Sequence, residues 1–532
     1  MRGGVRVDHI QDNWASGYLI LPKSRTELML CETLRIFQAT AAKHEQDIAV
    51  LKEQLARANK KLFGTSSEKS SEQPPEPEQT LNGPAPQQQE AGTEKPAKKS
   101  RTSNGGRKPL PDHLPRERVE HVLQPQDQIC PCCKGGIHYI GEEVTELVTR
   151  IPASYKVLQH ARAKYVCREC NEFIMAPGVK QVIPKSSYSS PEFLAHVAVS
   201  KFQYGLPFYR QERIFEQDRL PVNRTTLANL MIRCSNQMVS VYELLREHLC
   251  TQAVVHADET TVQVLKEDED RRPQSTSYMW LYRSREDEAH PVVLFEYQMT
   301  RSGQHPKKFL RIGESDGFSG YIHTDGYAGY NGMTGTIRVG CMAHARRKFD
   351  EAAKVVPHGV TRSRSPAHVA IDLIGKLYEI EARIKGLDHR DRHKVRTEES
   401  VSVLKKFKDW LDNMYPQVVP KSALGRAVGY AHDQWTFISR YVEDGRLAID
   451  NNISEREIKM VVIGRKNWMF SDSMDGMRAN ATMYSLVATA KANGLNPYDY
   501  LRHVFATLPY LKTAAEVESL LPWNLPQLRR TQ

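Results

Sequence analysis

The stretch "AVVHADETTVQVL", Ala253–Leu265, decides how the chain is read. It is rich in valine and threonine, lacks glycine and proline, and follows a helix-periodic segment that ends near Cys250, so it predicts a strand. Asp258 lies inside that strand. A carboxylate among such apolar neighbours is costly to desolvate unless something positive compensates it. Taken alone, the residue is better explained as a hydrogen-bonded turn or strand-end aspartate.

Working outward, "SYMWLYRSR" (277–285) and "PVVLFEYQM" (291–299) read as two further strands, and a short helix follows near "QHPKKFLRI" (304–312). "GYIHTDGYAGYN" (320–331) reads as a strand running into a turn, with Asp325 at its end, and "TIRVGCMAHARRKF" (336–349) as a strand leading into a helix. Three meandering strands, a helix, then further strands and helices is the order of an RNase H-like sheet flanked by helices. Two carboxylates on neighbouring strands, joined by a third from a helix, would hold a pair of Mg²⁺ (or Mn²⁺) ions roughly 4 Å apart, an arrangement suited to in-line attack on a phosphodiester.

The third acid is sought in "LAIDNNISEREIKM", Leu447–Met460, which opens a helix and contains Asp450, Glu455 and Glu457. A capping box, with Asn452 or Ser454 as cap and Glu455 or Glu457 three residues on, explains these residues without any chemistry. Between Ala345 and Gly445 two segments, "HVAIDLIGKLYEIEARIKGL" and "SVLKKFKDWLDNMY", show the i, i+3, i+4 apolar recurrence of helices, so an all-helical insertion is expected there. Arg346, Arg347 and Lys348 at its start, and Arg465 and Lys466 beyond the acidic helix, are candidate phosphate contacts; solvated helix faces account for them equally.

The N-terminal half carries different signals. From Leu30 a heptad seam (Leu30, Leu34, Phe37, Ala41, His44, Ile48, Leu51, Leu55, Ala58, Leu62) predicts a coiled coil that pairs subunits into a homo-oligomer. A Pro-, Gln- and Ser-rich stretch after Thr65 predicts a disordered linker. Two C-x-x-C pairs, Cys130/Cys133 and Cys167/Cys170, supply the four thiolates of a structural Zn²⁺ site, with Cys132 a spare thiol. The alternating sequence between the pairs predicts a strand hairpin that returns the chain. Helices broken near Pro207 and Pro221 then suggest a helix-turn-helix, its second helix capped at Asn223 and offering Arg224 and Thr225 to double-stranded DNA. An ordinary helical hairpin fits that segment as well.

The chain has 532 residues, too many for one core, and its 74 Lys+Arg against 63 Asp+Glu leave a net charge of +11, which favours a polyanionic partner. Nine cysteines, an odd number, fit metal ligation in a reducing compartment better than a disulfide scaffold. No run is long and apolar enough for a membrane helix and no signal-peptide core opens the chain, so a cytoplasmic, nucleoid-associated bacterial protein is expected. The expected organisation is an N-terminal extension (1–24), coiled-coil helix (25–64), linker (65–107), zinc-binding module (108–180) and helical DNA-binding segment (181–250). A first part of the catalytic core (251–344), the helical insertion (345–445), a second part bearing the acidic helix (446–510) and a tail (511–532) complete it.

"HADET", "HTDGYAGY", "CMAHARRKF", "IDNNISEREIK" and "IGRKNWMFSDS" occur in an order and spacing that resembles the DDE transposases of the insertion-sequence 66 family. The likeness extends upstream through "KKLFGTSSEKS", "GRKPLPDHLPRERVEH", the cysteine pairs and "LPFYRQERIF". Met342, where the family usually shows an aromatic residue, and the extra thiol of Cys132 are departures. The resemblance implies that Asp258, Asp325 and Glu455 form an acidic triad, that element ends are cleaved and strands transferred, and that small accessory proteins are encoded beside the gene. Glu457 is then left as capping partner of Ser454, and Asp450 as the residue at the helix entry. A non-catalytic zinc-containing DNA-binding regulator would explain the N-terminal half alone. An RNase H-like nuclease or resolvase would share the chemistry.

Overall fold

The computed structural model describes residues 154–267, 271–356 and 365–528, with 115–121, 142, 144–148 and isolated positions in 32–51 and 132–137. Of the heptad seam only Ile48 and Leu51 fall among them, both helical and exposed; the other eight positions, the linker, Cys130 and Cys133 lie outside the described residues.

Strands β1 (Lys164–Val166) and β2 (Phe173–Met175) form a small antiparallel hairpin around Cys167 and Cys170. Of the hairpin expected between the cysteine pairs, the described residues of that segment show a single strand, β1, whose partner lies beyond Cys170; Val144, Leu147 and Val157, three of the apolar residues meant to drive the hairpin, are exposed. The chain pairs instead across the second C-x-x-C, where Asn171 takes a left-handed φ of 58° and Cys167 and Glu172 close the turn with a backbone bond of 2.9 Å.

Four helices follow: α1 (Pro191–Phe202), α2 (Phe208–Gln217), α3 (Arg224–Gln237) and α4 (Val239–Cys250). Asn223 caps α3 by accepting from the Thr226 N–H at 2.8 Å, as its sequence predicts. The chain then enters β3 (Val254–Val262), β4 (Val264–Lys266), β5 (Ser277–Ser284), β6 (Val293–Gln298), the short α5 (Gln304–Phe309), β7 (Tyr321–His323) and β8 (Ile337–Val339). Five of these strands make a mixed sheet in the order β6-β5-β3-β7-β8, antiparallel from β6 to β3 and parallel from β3 to β8.

Both sheet edges are covered, which removes the template for edge-to-edge association. At β8, Gly340 donates to the Phe437 carbonyl at 2.9 Å and Arg440 to the Arg338 carbonyl at 2.6 Å. At β6, helix α13 (Met474–Ala492) presents two hydroxyls, the Ser485 Oγ accepting from Phe295 N–H at 2.8 Å and the Thr489 Oγ1 from Val293 N–H at 3.0 Å. These side chains replace the missing neighbouring strand.

After β8 come α6 (Met342–Ala353), α7 (Pro366–Ile384), α8 (His389–Val395), α9 (Val401–Met414), α10 (Ala423–Asp433) and α11 (Trp435–Ile438). They build a second apolar core in which Phe349, Phe407 and Leu411 are fully buried, distinct from the core that joins the sheet to α1–α4 and the C-terminal helices. Met342, an unusual residue for its position by resemblance, is buried in it. The chain returns through α12 (Asn452–Trp468), which passes over the sheet, the three-residue β9 (Ser471–Ser473), α13, α14 (Pro497–Thr507) and α15 (Ala514–Glu518). The residues expected to be a tail are part of the core: Val517, Leu520, Leu521 and Leu525 are all buried. Leucines spaced this way bury one side of a short helix and the turn after it, which outweighs the polar composition around them.

Candidate active site

In the parallel pairing of β3 with β7, His256 stands opposite His323. Their rings stack across the two strands, centroids 4.9 Å apart and planes 9° from parallel, and both are buried. Residues two apart along a strand share a face, so the register carries Asp258 and Asp325 together to the same end of two adjacent strands. Asp325 sits two residues past the last paired residue of β7. Its turn is fixed from both sides: Tyr327 N–H donates to Oδ1 at 2.8 Å, and the buried Arg338 donates to its carbonyl at 2.5 Å. Tyr430 of α10 closes over the turn so tightly that a Cβ on Gly326 would lie 2.6 Å from its ring, so no larger residue fits between the Asp and α10.

Glu455 reaches this edge through Asn451, and not through the capping box expected from sequence. Helix α12 begins at Asn452, so Ser454 is a buried first-turn residue whose hydroxyl donates to Asn451 Oδ1 at 3.1 Å. Glu457 does no capping either; it pairs with the buried Arg283 of β5 at 3.2 Å. Asp450 does serve the helix entry, accepting from the Asn452 N–H at 3.1 Å, and is itself held by Tyr378 at 2.8 Å. The helix started earlier than the cap residues suggested because Asn451 has a stronger use for its amide inside the protein. Its Nδ2 donates to the Ala257 carbonyl at 2.9 Å. Its Oδ1 therefore faces the His256 Nδ1, 2.8 Å away, and that nitrogen carries the proton. Asn451 thus pins the start of α12 to the strand that bears Asp258, one helical turn before Glu455.

The electrostatics follow from this convergence. Burial, then the neighbouring carboxylates of Glu259, Asp325 and Glu455, push the Asp258 carboxyl up to about 8. Glu455 is held by Arg347 of α6, whose Nη2 lies 3.1 and 3.0 Å from its two oxygens, with His344 Nε2 at 3.7 Å. Burial holds His344 below its ordinary value, against the pull of Glu455, so its imidazole is neutral near pH 7. Among the described residues no three His, Cys, Asp or Glu side chains stand close enough to ligate one ion as they are arranged. The donor set nevertheless suits a hard divalent cation: it is all oxygen, Asp258 has no cationic partner among the described residues, and the guanidinium on Glu455 already marks where positive charge is wanted.

The remaining candidates are distributed as follows. Arg224 and Thr225 are exposed in the first turn of α3. Arg346 lies over the Tyr378 ring and Lys348 over Tyr430, while Arg347 is spent on Glu455. Arg465 bonds the Thr261 carbonyl and its Oγ1, the latter at 2.6 Å, so it ties α12 to the end of β3; Lys466 is exposed. Cys167 is held below its ordinary value by the backbone N–H groups of Cys170 and Glu169. Sequence reasoning missed four participants: Asn451, His344, Glu259 and Arg301. Glu259 points to the other face of β3, where Arg301 and Tyr330 Oη (2.5 Å) satisfy it, and Arg301 in turn lies 3.9 Å over the Tyr327 ring beside Asp325. Only Glu259 had a signal, its adjacency to Asp258; the others depend on contacts across more than forty residues.

Residues 186–479 match the family described as Transposase IS66 family, and residues 485–523 the IS66 C-terminal element. Residues 127–171 match the zinc-finger binding domain of transposase IS66, and 50–119 the segment described as Transposase C of IS166 homeodomain. Two relatives from Sinorhizobium fredii (strain NBRC 101917 / NGR234) are similar over most of the chain. The uncharacterized protein y4jD is 31% identical, covering 78% of this chain and 81% of its own. The uncharacterized protein y4hP is 30% identical, covering 79% and 76%.

Proposed function

Because the chain belongs to the IS66 transposase family, we propose that it cuts DNA at the ends of its insertion sequence and transfers the freed strands, using Asp258, Asp325 and Glu455 at the edge of an RNase H-like core. The observation that carries this reading is the shared register of β3 and β7, which brings Asp258 and Asp325 to one edge, together with the rise of the Asp258 carboxyl to about 8 under the influence of Asp325 and Glu455. A desolvated carboxylate such as Asp258, with other carboxylates as neighbours, is unfavourable for folding and is retained where function requires it.

Mg²⁺ or Mn²⁺, held by these three residues, would supply the Lewis acidity needed to attack a phosphodiester. The residues around them have separate tasks. Asn451, with the His256–His323 stack behind it, fixes the height of Glu455 above the sheet. Arg347, paired with Glu455, would with Arg346 and Lys348 offer positive charge to the reacting phosphate. Neutral His344 is placed to accept or hold a proton next to Glu455. Exposed Arg224 and Thr225 suit recognition of an element end, and Lys466 the backbone beyond the cut. The zinc-binding module would take its ligands from Cys130, Cys133, Cys167 and Cys170, and the heptad seam would pair two chains so that two ends are held together.

Cleavage of a plasmid carrying the element tests the proposal. Asp258→Asn, Asp325→Asn and Glu455→Gln are each expected to lower Mg²⁺-dependent strand cleavage by at least about a hundredfold, with binding of the element ends retained. Cleavage near the wild-type rate in any of the three refutes the triad.

A further inference from the structure

The end of α12 presents an apolar tip that neither core uses. Ile463, Met469 and Phe470 are 55%, 69% and 45% exposed, and Tyr204, in the loop after α1, is 71% exposed. The two segments are joined: Asn467 Nδ2 donates to the Gly205 carbonyl at 2.8 Å, and a Cβ on Gly205 would lie 3.7 Å from the Ile463 side chain. Met469 is also in a conformation that disfavours it. Its φ of 62° and ψ of −48° place it at the centre of a γ-turn with positive φ, rare and strained for any residue but glycine, closed by the Phe470 N–H on the Trp468 carbonyl at 2.7 Å, while its own N–H closes the helix on the Arg465 carbonyl at 2.8 Å. A methionine there strains the backbone and leaves its side chain in water, so folding does not explain it.

The tip stands at the end of a basic track that begins at the acids. Glu455, Lys459 and Lys466 fall at i, i+4 and i+11 of α12, within a narrow sector of the helix, and both lysines are exposed. The helix runs along β3 in the same direction: Asn451 at its start bonds the Ala257 carbonyl at 2.9 Å, Arg465 bonds Thr261, and Ser471 N–H donates to the Gln263 carbonyl at 2.9 Å. Asp472, the nearest acid in sequence to the tip, is neutralised by Lys266 at 3.0 Å. From Glu455 to Trp468 the helical rise is about 20 Å, which is about six base pairs of duplex.

We propose that Met469 and Phe470, supported by Ile463 and Tyr204, form a wedge that enters the DNA about six base pairs from the phosphate cut at the acidic edge, with Lys459 and Lys466 following the backbone between the two points. The occupant is duplex DNA, because the apolar tip is approached along lysines and because methionine and phenylalanine are side chains suited to parting a base step. The position of the wedge rests on the reading of Asp258, Asp325 and Glu455 as the cutting site.

The test uses the full-length protein and duplexes copied from the borders of its element, with the fluorescent base 2-aminopurine stepped along one strand. The wild type is expected to brighten the probe most strongly at about six base pairs from the cut. Met469→Gly and Phe470→Ala are expected to lose the brightening and to bind roughly tenfold more weakly. Met469→Gly relieves the backbone strain, so it is also expected to melt no lower than the wild type, which separates a lost contact from a lost fold. Absence of brightening at every position, or brightening unchanged in both variants, overturns the wedge. So does a fall in oligomeric mass of the variants with fluorescence unchanged, which assigns the tip to a second copy of the chain. Asp258→Asn should brighten the probe as the wild type does; if that variant still cuts, the triad fails while the wedge stands.

Discussion

Asp258 combines an interior position with a surplus of negative neighbours, and its conservative replacement separates the two costs. Asparagine retains an oxygen for the Glu259 N–H, which Asp258 Oδ1 now accepts at 2.9 Å, and removes the charge that Glu259, Asp325 and Glu455 oppose. In chelator near pH 8, Asp258→Asn is therefore expected to be more stable than the wild type by a few kcal/mol at most, on the order of the shift it removes. Added Mg²⁺ should raise the melting temperature of the wild type and leave the variant unmoved. Thermal denaturation with and without the ion measures both. Asp258 stood out in sequence because a charged residue interrupts an apolar strand, whereas Asp325, at the end of its strand, and Glu455 were singled out by the resemblance. The cap assignment at Ser454 failed because a serine hydroxyl binds whichever partner the tertiary fold offers, and here that is Asn451.

Lys201 shows how elements are joined behind the site. It is buried in α1, with its ammonium 4.1 Å from the ring of Phe208 and 4.5 Å from that of Trp468 at the end of α12. Among the described residues no carboxylate pairs with it, and burial lowers its pKa to about 7. The unfolded chain holds that proton up to an ordinary lysine value of about 10.4, so between about pH 7 and 10 the unfolded state binds more protons and stability rises with pH. The slope from this group is at most about 1.4 kcal/mol per pH unit. Lys201→Met should flatten it, with the gain in stability largest near pH 7, as urea denaturation across that range will show. Strands and helices themselves were largely legible, since period-two and period-3.6 patterns report backbone geometry directly: β3, β5, β6 and α7 fall where the patterns put them. Asn451 was not legible as a latch. Its value lies in Ala257 and His256, almost two hundred residues earlier, and no local pattern records such a contact.

At the scale of the molecule, two apolar cores divide the work, one joining the sheet to helices on both sides and the other filling the helices between β8 and α12. The second core supplies Arg347 and His344 to the acidic edge, so damage to it should reach the site. Phe407 is fully buried there against Phe349, Trp410 and Trp435. Phe407→Ala is expected to cost about 3–5 kcal/mol, read by urea denaturation, and to weaken cleavage although Phe407 is nowhere near the acids in sequence. The helical character of the segment between β8 and α12 was readable from its apolar periodicity. Its contact with the site was not, because Tyr430 over Gly326 and Arg347 on Glu455 are matters of packing between elements. The expected tail misled for a related reason: a few leucines in a polar stretch bury themselves only once a groove exists to receive them.

The central claim is that three carboxylates remote in sequence act as one metal site, and Mn²⁺ binding followed by electron paramagnetic resonance tests it most directly. The wild type is expected to take up Mn²⁺ at the acidic edge, with Asp258→Asn, Asp325→Asn and Glu455→Gln each losing that uptake while the fold persists. Equal Mn²⁺ binding by the wild type and all three variants would contradict the account.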